Sequence, residues 1–274
     1  MLSHESITRI DMEEHLLEFW MRASRNTTIR YFLIAGFAYL IFYVVLKNQV
    51  ISRKIQNKYP EWNSMKLEIF FSLQTVIIFA TVATVVFNVL QPYTNFYPLI
   101  SDKGWLYYVA TFPLMFVIHD TYFYWMHRTI HHPKFYRLIH ERHHKSLNPT
   151  PWSSYSFHFF ESILEAGIIL IIAFTLPVHR SALVLFLLMQ FVYNVYGHLG
   201  YELYPKGFHK TWIGRWVNTS VAHNMHHKYF KGNYGLYFLF WDRIMGTLHP
   251  KYDQEFERVT NGKQPKPVLD TPDQ

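Results

Sequence analysis

The histidines of this chain are concentrated in boxes whose spacing places several side chains on one face of a helix. The stretch 119–144 alone holds seven of the 17 histidines. The boxes are His127 and His131, then His140, His143 and His144, then His223, His226 and His227. Residues three and four apart on a helix project from the same face. Because imidazole is a ligand of zinc, copper, nickel and iron, three such boxes predict a metal site.

The number of imidazoles exceeds the needs of a single metal ion. A tetrahedral zinc ion takes three or four protein ligands, whereas the three boxes together contain eight histidines. The chain has no cysteine, which excludes disulfides, thiolate metal sites and a cysteine nucleophile and leaves histidine and carboxylate as metal ligands. We therefore expect two metal ions. Nitrogen ligands around a metal pair favour a di-iron centre that activates O2.

The composition places these boxes in a membrane protein. Half of the residues are hydrophobic, yet the mean hydropathy is −0.02, which indicates long apolar segments that alternate with charged ones. A net charge of +7 is compatible with binding to nucleic acid or to an anionic membrane surface. The apolar segments decide for the membrane, and no nucleic-acid partner is expected.

The apolar segments predict an all-α membrane protein with about four transmembrane helices, a short hairpin included. The expected segments are 31–46, 67–90 and 104–126, followed by the two arms of the hairpin at 162–176 and 181–197. The loop 48–66 is rich in lysine and arginine, whereas the loop 91–103 carries a single lysine, so we expect the first loop in the cytoplasm. Chain order then brings every box to the cytoplasmic side, where the boxes form a histidine-rich helical cap on a multi-pass protein.

Further motifs surround the boxes in a definite order. They are HDTYFYWMHRTIHH, HERHH, NPTPWSSYSFHFFE, GHLGYELYP and HNMHH…NYGLYFLFWDRIMGT. Together they resemble the fatty acid hydroxylase superfamily of integral-membrane di-iron enzymes, and within it the sterol C5-desaturase (lathosterol oxidase) type. The resemblance covers roughly residues 105–249. We accordingly expect an interfacial helix and two transmembrane helices in 1–103, a catalytic domain of this type in 104–249, and a disordered polar tail in 250–274.

The resemblance implies a set of nine metal ligands. His198 in GHLGYEL joins the three boxes as the ninth member, while Asn194 stands where some members of the superfamily have a histidine, so its participation stays open. Some members use a box that would select His132, and we favour His131. The implied ligands are His127, His131, His140, His143, His144, His198, His223, His226 and His227.

Two other polar residues are candidates for contacts around the metals. Asp120 lies seven residues before His127, and on a helix it could accept the imidazole N–H of a ligand. A buried packing carboxylate is an equal alternative for Asp120. His158 is expected either to form hydrogen bonds in a substrate channel or to lie beside the metals. No catalytic residue beyond the metal ligands is implied.

The resemblance implies an O2-dependent hydroxylase or desaturase of a membrane lipid, either sterol-like or fatty acyl. Two Fe ions would be the cofactors and O2 the co-substrate, and the reaction would oxidise an unactivated C–H bond. The chain contains no motif for flavin, nicotinamide or haem binding. Electrons are therefore expected from a separate partner, either a small redox protein or a reductase.

A second function remains open on the residues of the middle box. His140-Glu141-Arg142-His143-His144 also satisfies the H-E-x-x-H pattern, in which two histidines bind zinc and the glutamate is the general base of a hydrolase. A membrane zinc hydrolase built on His140, Glu141 and His144 would leave the other boxes without a role.

Overall fold

The computed structural model describes residues 4–262 of the 274, with residues 4–10 described as backbone only. The fold is α-helical, with a short pair of parallel strands. The helices are α1 (His4–Tyr39), α2 (Trp62–Thr84), α3 (Gly104–Ile130), α4 (Pro133–Ile139), α5 (Glu141–His144), α6 (Phe159–Thr175), α7 (Arg180–Gly197), α8 (Ser220–Tyr229), α9 (Phe240–Ile244) and α10 (Tyr252–Thr260), and the strands are β1 (Phe96–Tyr97) and β2 (Val178–His179).

Three helices in the described part of the chain are long and apolar enough to cross a membrane. They are Asp11–Val45, Trp62–Val89 and Arg180–Gly197, which correspond to α1 and α2 with their π-helical ends and to α7. The shortest has 18 residues and measures about 27 Å, close to the thickness of a bilayer core of about 30 Å. The predicted segments 31–46, 67–90 and 181–197 fall almost entirely within these helices.

Two predicted features of the helical framework differ from the structure. The interfacial helix expected at the start of 1–103 is not separate from the first candidate span in the described residues, because α1 continues from His4 to Tyr39 without a break. No glycine or proline interrupts residues 4–35, so nothing in the sequence ends the helix there. The predicted segments 104–126 and 162–176 form α3 and α6, but neither belongs to the three helices that meet the length and hydropathy needed to span.

The prediction of a disordered tail in 250–274 is wrong for its first part. Helix α10 lies within it, and Tyr252, Phe256 and Val259 are buried in a cluster with Val221 and Met225 of α8. These three residues are spaced i, i+4 and i+7, so they form one apolar face. Residues 263–274 of the predicted tail lie outside the described residues.

The four helices α2, α3, α6 and α7 share one core. Val86, Met115, Ile172, Leu183 and Phe186 are buried together there, and no member is more than slightly exposed. Strands β1 and β2 pair at the end of this core where α7 begins. The opposite end, where α3 and α7 end, is therefore the end that carries the histidine boxes.

A buried carboxylate fastens the loop after the middle box to α2. Glu68 accepts hydrogen bonds of 2.8 Å from the hydroxyl groups of Ser146 and Thr150, and all three side chains are buried. A carboxylate with two hydroxyl donors is a satisfied buried acceptor. This contact holds the histidines of α5 against the bundle.

Candidate metal centre

The structure brings all nine predicted ligands together in two adjacent groups. In each group, every histidine offers one ring nitrogen that lies within 4.8 Å of the corresponding nitrogens of the others. The first group is His127, His131, His140, His144 and His226, and the second is His143, His198, His223 and His227. Eight of the nine are buried, and His131 is half-buried. Two groups of this kind fit two metal ions, as the residue count predicts.

The middle and last boxes each contribute to both groups. His143 lies in the second group although its box neighbours His140 and His144 lie in the first. His226 likewise lies in the first group, between two residues of its box that belong to the second. The rings of His144 and His227, one from each group, have centroids 4.9 Å apart. The two sites are therefore neighbours built on shared helices.

The ring nitrogens inside each group face one another at close range. In the first group the Nε2 atoms of consecutive rings are 3.0–3.1 Å apart. In the second group the corresponding distances are 3.1–3.4 Å. Such a cluster of nitrogens within a buried site is the arrangement expected of metal ligands.

The outer nitrogens of several rings are held by hydrogen-bond acceptors of the backbone. Nδ1–H of His127 donates to Tyr234 O at 2.9 Å, and Nδ1–H of His226 donates to Gly232 O at 2.8 Å. In the second group, Nδ1–H of His198 donates to Asn194 O at 2.9 Å. A carbonyl oxygen only accepts, so each of these neutral rings carries its proton on Nδ1 and an unshared electron pair on Nε2.

This tautomer explains why a cation suits the site. His143 and His198 both direct Nδ1 to a backbone carbonyl, at 3.4 and 2.9 Å, and their Nε2 atoms lie 3.4 Å apart. Two Nε2 atoms without protons cannot form a hydrogen bond with each other, and their electron pairs repel. A metal ion bound by both nitrogens removes this conflict, and neutral imidazole is a common ligand of iron.

Burial keeps the nine imidazoles neutral, as metal binding requires. It is the main cause of a lowered pKa at every one of them. The pKa falls from 6.5 to about 4 at His127 and at His198. Imidazolium charges on neighbouring rings would repel one another, which lowers the pKa of most of the others further. At neutral pH the site therefore presents unprotonated nitrogen to a metal.

A carboxylate that the sequence analysis missed contacts the first group. Glu161, in the first turn of α6, lies 2.6 Å from Nδ1 of His140, and both side chains are buried. A carboxylate behind a histidine ligand orients the ring and raises its basicity. The available signal was an acidic residue at the start of an otherwise apolar segment, within the motif SFHFFE.

The two predicted outer contacts, Asp120 and His158, have other partners. Asp120 accepts hydrogen bonds from the backbone N–H groups of Tyr237 and Phe238, at 2.8 and 3.2 Å, instead of from an imidazole. It therefore holds the loop before α9 against α3. His158 is the residue that caps α6, where its Nδ1 accepts a hydrogen bond of 3.4 Å from the N–H of Phe160.

The structure distinguishes between the alternatives that the sequence left open for two of the ligand positions. His131 lies in the first group, whereas His132 is exposed and caps α4 by accepting a hydrogen bond from the N–H of Lys134. The side chain of Asn194 donates to Ser154 O at 2.6 Å. Asn194 thus serves the site through its backbone carbonyl, which accepts from His198, and its side chain is used elsewhere.

The hydrolase alternative requires Glu141 to lie beside the metal. In the structure Glu141 is exposed, while His140 and His144 point into the first group. His143, the residue that the H-E-x-x-H pattern leaves without a role, is buried in the second group. The geometry therefore leaves Glu141 outside both histidine groups and includes His143, to which the pattern gives no role.

An apolar cavity adjoins the histidines on the side of the helical bundle. It lies between α1, α2, α3, α6 and α7, and Phe157 and Glu165 line both this cavity and the histidine site. At its far end the cavity shares Thr27, Arg30 and Leu187 with a wider opening between α1 and α7. The cavity therefore shares wall residues both with the gap between two candidate membrane spans and with the histidine site.

The comparisons with known proteins agree with this geometry. A model of the fatty acid hydroxylase family matches residues 112–247. Lathosterol oxidase of Rattus norvegicus is 31% identical over 206 residues, which is 73% of this chain and 66% of the relative. The Delta(7)-sterol 5(6)-desaturase of Leptosphaeria maculans is 30% identical over 239 residues, 83% of this chain and 60% of the relative. Delta(7)-sterol 5(6)-desaturase ERG3B of Gibberella zeae is 26% identical over 246 residues, 86% of this chain and 74% of the relative.

No solved structure matches the chain. The family match contains all nine histidines of the two groups, so the region of similarity is also the region that forms the site. The relatives are named as desaturases and as an oxidase, and all of them are oxidoreductases. This chain belongs to the fatty acid hydroxylase family and is an oxidoreductase similar to the sterol C5-desaturases.

Proposed function

We propose that this protein oxidises an unactivated C–H bond of a membrane sterol, by desaturation or hydroxylation, with two iron ions and O2. The observation that carries the proposal is the convergence of nine neutral imidazoles in two adjacent groups. Two irons held there would activate O2, whose reduction would take two electrons from the substrate and two from a separate donor. A sterol is proposed as the substrate because the relatives are named for Delta(7)-sterols and lathosterol.

The residues of the chain have three tasks in such a reaction. The backbone carbonyls behind His127, His198 and His226 hold the rings in one tautomer before a metal arrives. The apolar cavity brings a lipid from the gap between α1 and α7 to the inner wall formed by Phe157 and Glu165. The same apolar walls exclude water and fix the position of the carbon, so the reaction is confined to one bond.

We also propose how the protein lies in the membrane. α1, α2 and α7 cross it, and α3 and α6 complete the bundle as the remaining crossing and the short arm of the hairpin. The histidine end faces the cytoplasm, because the loop between α1 and α2 lies at that end and carries Lys47, Arg53 and Lys58. The loop between α2 and α3 carries only one lysine.

The electron donor would dock on the cytoplasmic face beside the boxes. Lys134, Arg137 and Lys145 are exposed there and suit an acidic partner. Arg142 is less suitable, because its guanidinium lies over the ring of Phe71, 4.0 Å from the centroid. A separate small redox protein or reductase is the partner class that this surface fits.

The metal content of the purified protein tests the proposed function. We expect about two irons per chain by elemental analysis of detergent-purified protein, with a large loss in the double variant His143→Ala, His226→Ala, which removes one ligand from each group. His132→Ala is the matched control, because this histidine is exposed and outside both groups. Full iron loading in the control and its loss in the double variant would support a di-iron oxidase.

The opposite result is equally definite. One firmly held zinc per chain that survives the double variant would reject the iron site, and the hydrolase that uses Glu141 would replace it. The next measurement after a positive result is the conversion of a Delta(7)-sterol, followed by mass spectrometry of the lipid. A loss of two hydrogens identifies desaturation, and a gain of one oxygen identifies hydroxylation.

A further inference from the structure

Two polar side chains lie in the wall of the apolar cavity close to the metal site. His119 of α3 is 1% exposed and Glu165 of α6 is 9% exposed, and both line the cavity. Most of their neighbours in the wall are hydrophobic, among them Phe79, Ala80, Phe157, Ala166, Ile168 and Ile169. Neither residue belongs to the two histidine groups. Polar groups placed singly in an apolar cavity are the usual means of orienting a ligand.

His119 has a ring nitrogen without a partner. Its Nδ1 lies 2.9 Å from the hydroxyl group of Tyr237, which fixes the orientation of the ring. Its Nε2 is buried and makes no hydrogen bond within the described part of the chain. Burial of a polar atom without a partner is unfavourable, so this nitrogen is suited to a ligand that brings a hydrogen-bonding group.

Glu165 marks the end of the cavity nearest the metals. It follows Glu161, which contacts His140, by one helical turn, or about 6 Å. Side chains on a helix lean toward its N-terminus, so the carboxyl group of Glu165 leans toward the histidines. It lines the histidine site as well as the cavity, and no described residue donates a hydrogen bond to it.

We propose that His119 and Glu165 bind the ring hydroxyl of a sterol that enters the cavity with its hydroxyl end first. This inference rests on the proposed function. In a Delta(7)-sterol the carbon that bears the hydroxyl is separated from C5 by one carbon atom, so a group that binds the hydroxyl must lie beside the site of oxidation. Glu165 meets this condition because it lines both the cavity and the metal site. The two residues thereby select a hydroxylated lipid and set which bond faces the metals.

The reverse orientation makes a different prediction. A sterol with its hydroxyl outward would place that group near Thr27 and Arg30, where the cavity meets the opening between α1 and α7. The unpartnered Nε2 of His119 would then face hydrocarbon. The inward orientation satisfies that nitrogen, and the polar residues of the opening remain accessible to solvent or lipid headgroups.

Equilibrium binding of a matched pair of sterols tests the inference without relying on turnover. The probes are tritiated lathosterol and its 3-deoxy counterpart, measured on detergent-purified, iron-loaded protein. We expect the wild type to bind the hydroxylated probe about tenfold more tightly, as one or two buried hydrogen bonds would give. His119→Phe and Glu165→Leu should each remove most of this preference and leave the affinity for the deoxy probe unchanged. Glu165→Gln, which keeps an acceptor, should retain it.

Several outcomes would overturn the inference. Equal affinity of the wild type for both probes, no binding of either probe, or an equal loss for both probes in the variants would each reject it, the last by showing a packing role. Loss of the preference in Thr27→Val instead would indicate the outward orientation. Iron content and the thermal midpoint of each variant verify that the site and the fold are intact.

Desaturation of lathosterol is scored separately from binding. Failure of the wild type to convert a sterol that it binds with the expected preference would reject the proposed reaction and leave the roles of His119 and Glu165 standing. Conversion without any preference for the hydroxyl would support the reaction and reject those roles. The two hypotheses are thus decided by different measurements.

Discussion

At the scale of single residues, five of the nine histidines are positioned by an acceptor behind the ring. Four of these acceptors are backbone carbonyls, and the fifth is the carboxylate of Glu161. A carboxylate polarises the Nδ1–H bond more strongly than a carbonyl does, and it makes Nε2 of His140 the more basic ligand. Glu161 should therefore influence metal affinity although it belongs to neither histidine group.

Replacement of Glu161 by glutamine should weaken iron binding about tenfold or more, because glutamine keeps an acceptor but loses the charge. Glu161→Ala should have a larger effect. The measurement is an iron titration of chelator-treated protein, with Glu141→Gln, an exposed carboxylate near the same histidine, as the control. An unchanged iron affinity in Glu161→Gln would show that the carboxylate only fills space.

The sequence predicted the residues of the site better than their arrangement. Spacing, motif order and the family resemblance named nine histidines that lie together in the structure, and His131, preferred to His132, lies in the first group. His143 and His226 each lie in a different group from the other histidines of their box. This could not be predicted from the sequence, because it depends on where α3, α5, α7 and α8 meet in space. Helical spacing could not decide whether Asp120 contacts a histidine ligand or packs as a buried carboxylate, since it does not show that a distant loop supplies two N–H donors.

At the scale of elements, long apolar runs in the sequence predicted where the membrane-type helices lie. The ends of the helices, and a helix with many charged residues, were harder to predict. α1 is a single helix because no residue in its first 32 positions breaks it, and the change from charged to apolar composition was mistaken for a boundary. α10 was not predicted because its many charged residues make the segment polar on average. Tyr252, Phe256 and Val259 nevertheless form one apolar face of the helix. Composition describes the average of a segment, whereas packing depends on one face of it.

Glu68 provides a test of how elements are joined around the site. Glu68→Leu should lower the free energy of unfolding by about 1–3 kcal/mol, because the buried hydroxyl groups of Ser146 and Thr150 lose their acceptor. Glu68→Gln, which keeps one acceptor oxygen, should lose less. Thermal unfolding in detergent measures the difference, with Glu61→Gln, an exposed residue at the start of α2, as the control. A midpoint for Glu68→Leu equal to that of the control would reject the role of this contact.

At the scale of the whole molecule, the metal site and the lipid opening lie apart. The histidines occupy the end where α3 and α7 finish, while the opening between α1 and α7 is lined near the start of α7 by Arg180 and Ser181. The length of α7 separates them by about 25 Å. In the proposed reaction and orientation, lipid would therefore arrive from within the bilayer and electrons from the aqueous side.

The metal-free protein should lose stability as the pH falls below about 6.5. His127 and His198 have a pKa of about 4 when buried, against 6.5 otherwise, so between these values the unfolded chain takes up protons that the folded chain does not. The free energy of unfolding then decreases with decreasing pH, by at most about 3 kcal/mol for each residue. Thermal midpoints of chelator-treated protein at pH 7.5, 6.5 and 5.5 measure the effect.

Iron-loaded protein is the comparison for this series. Metal on the ring nitrogens competes with protons, so its midpoint should begin to fall at a lower pH than that of the metal-free sample. A metal-free midpoint with the same pH dependence as that of the iron-loaded protein would contradict the assignment of buried, neutral imidazoles.

The division of the middle and last boxes between the two groups has a consequence for how the metals load. A first ion in the first group would draw its rings together and restrict the short helices that also carry His143, His223 and His227. A second ion would then meet ligands that have already lost part of their remaining conformational freedom, so its affinity would be higher. Loading should be cooperative, and chains with a single ion should be scarce beside empty and fully loaded ones.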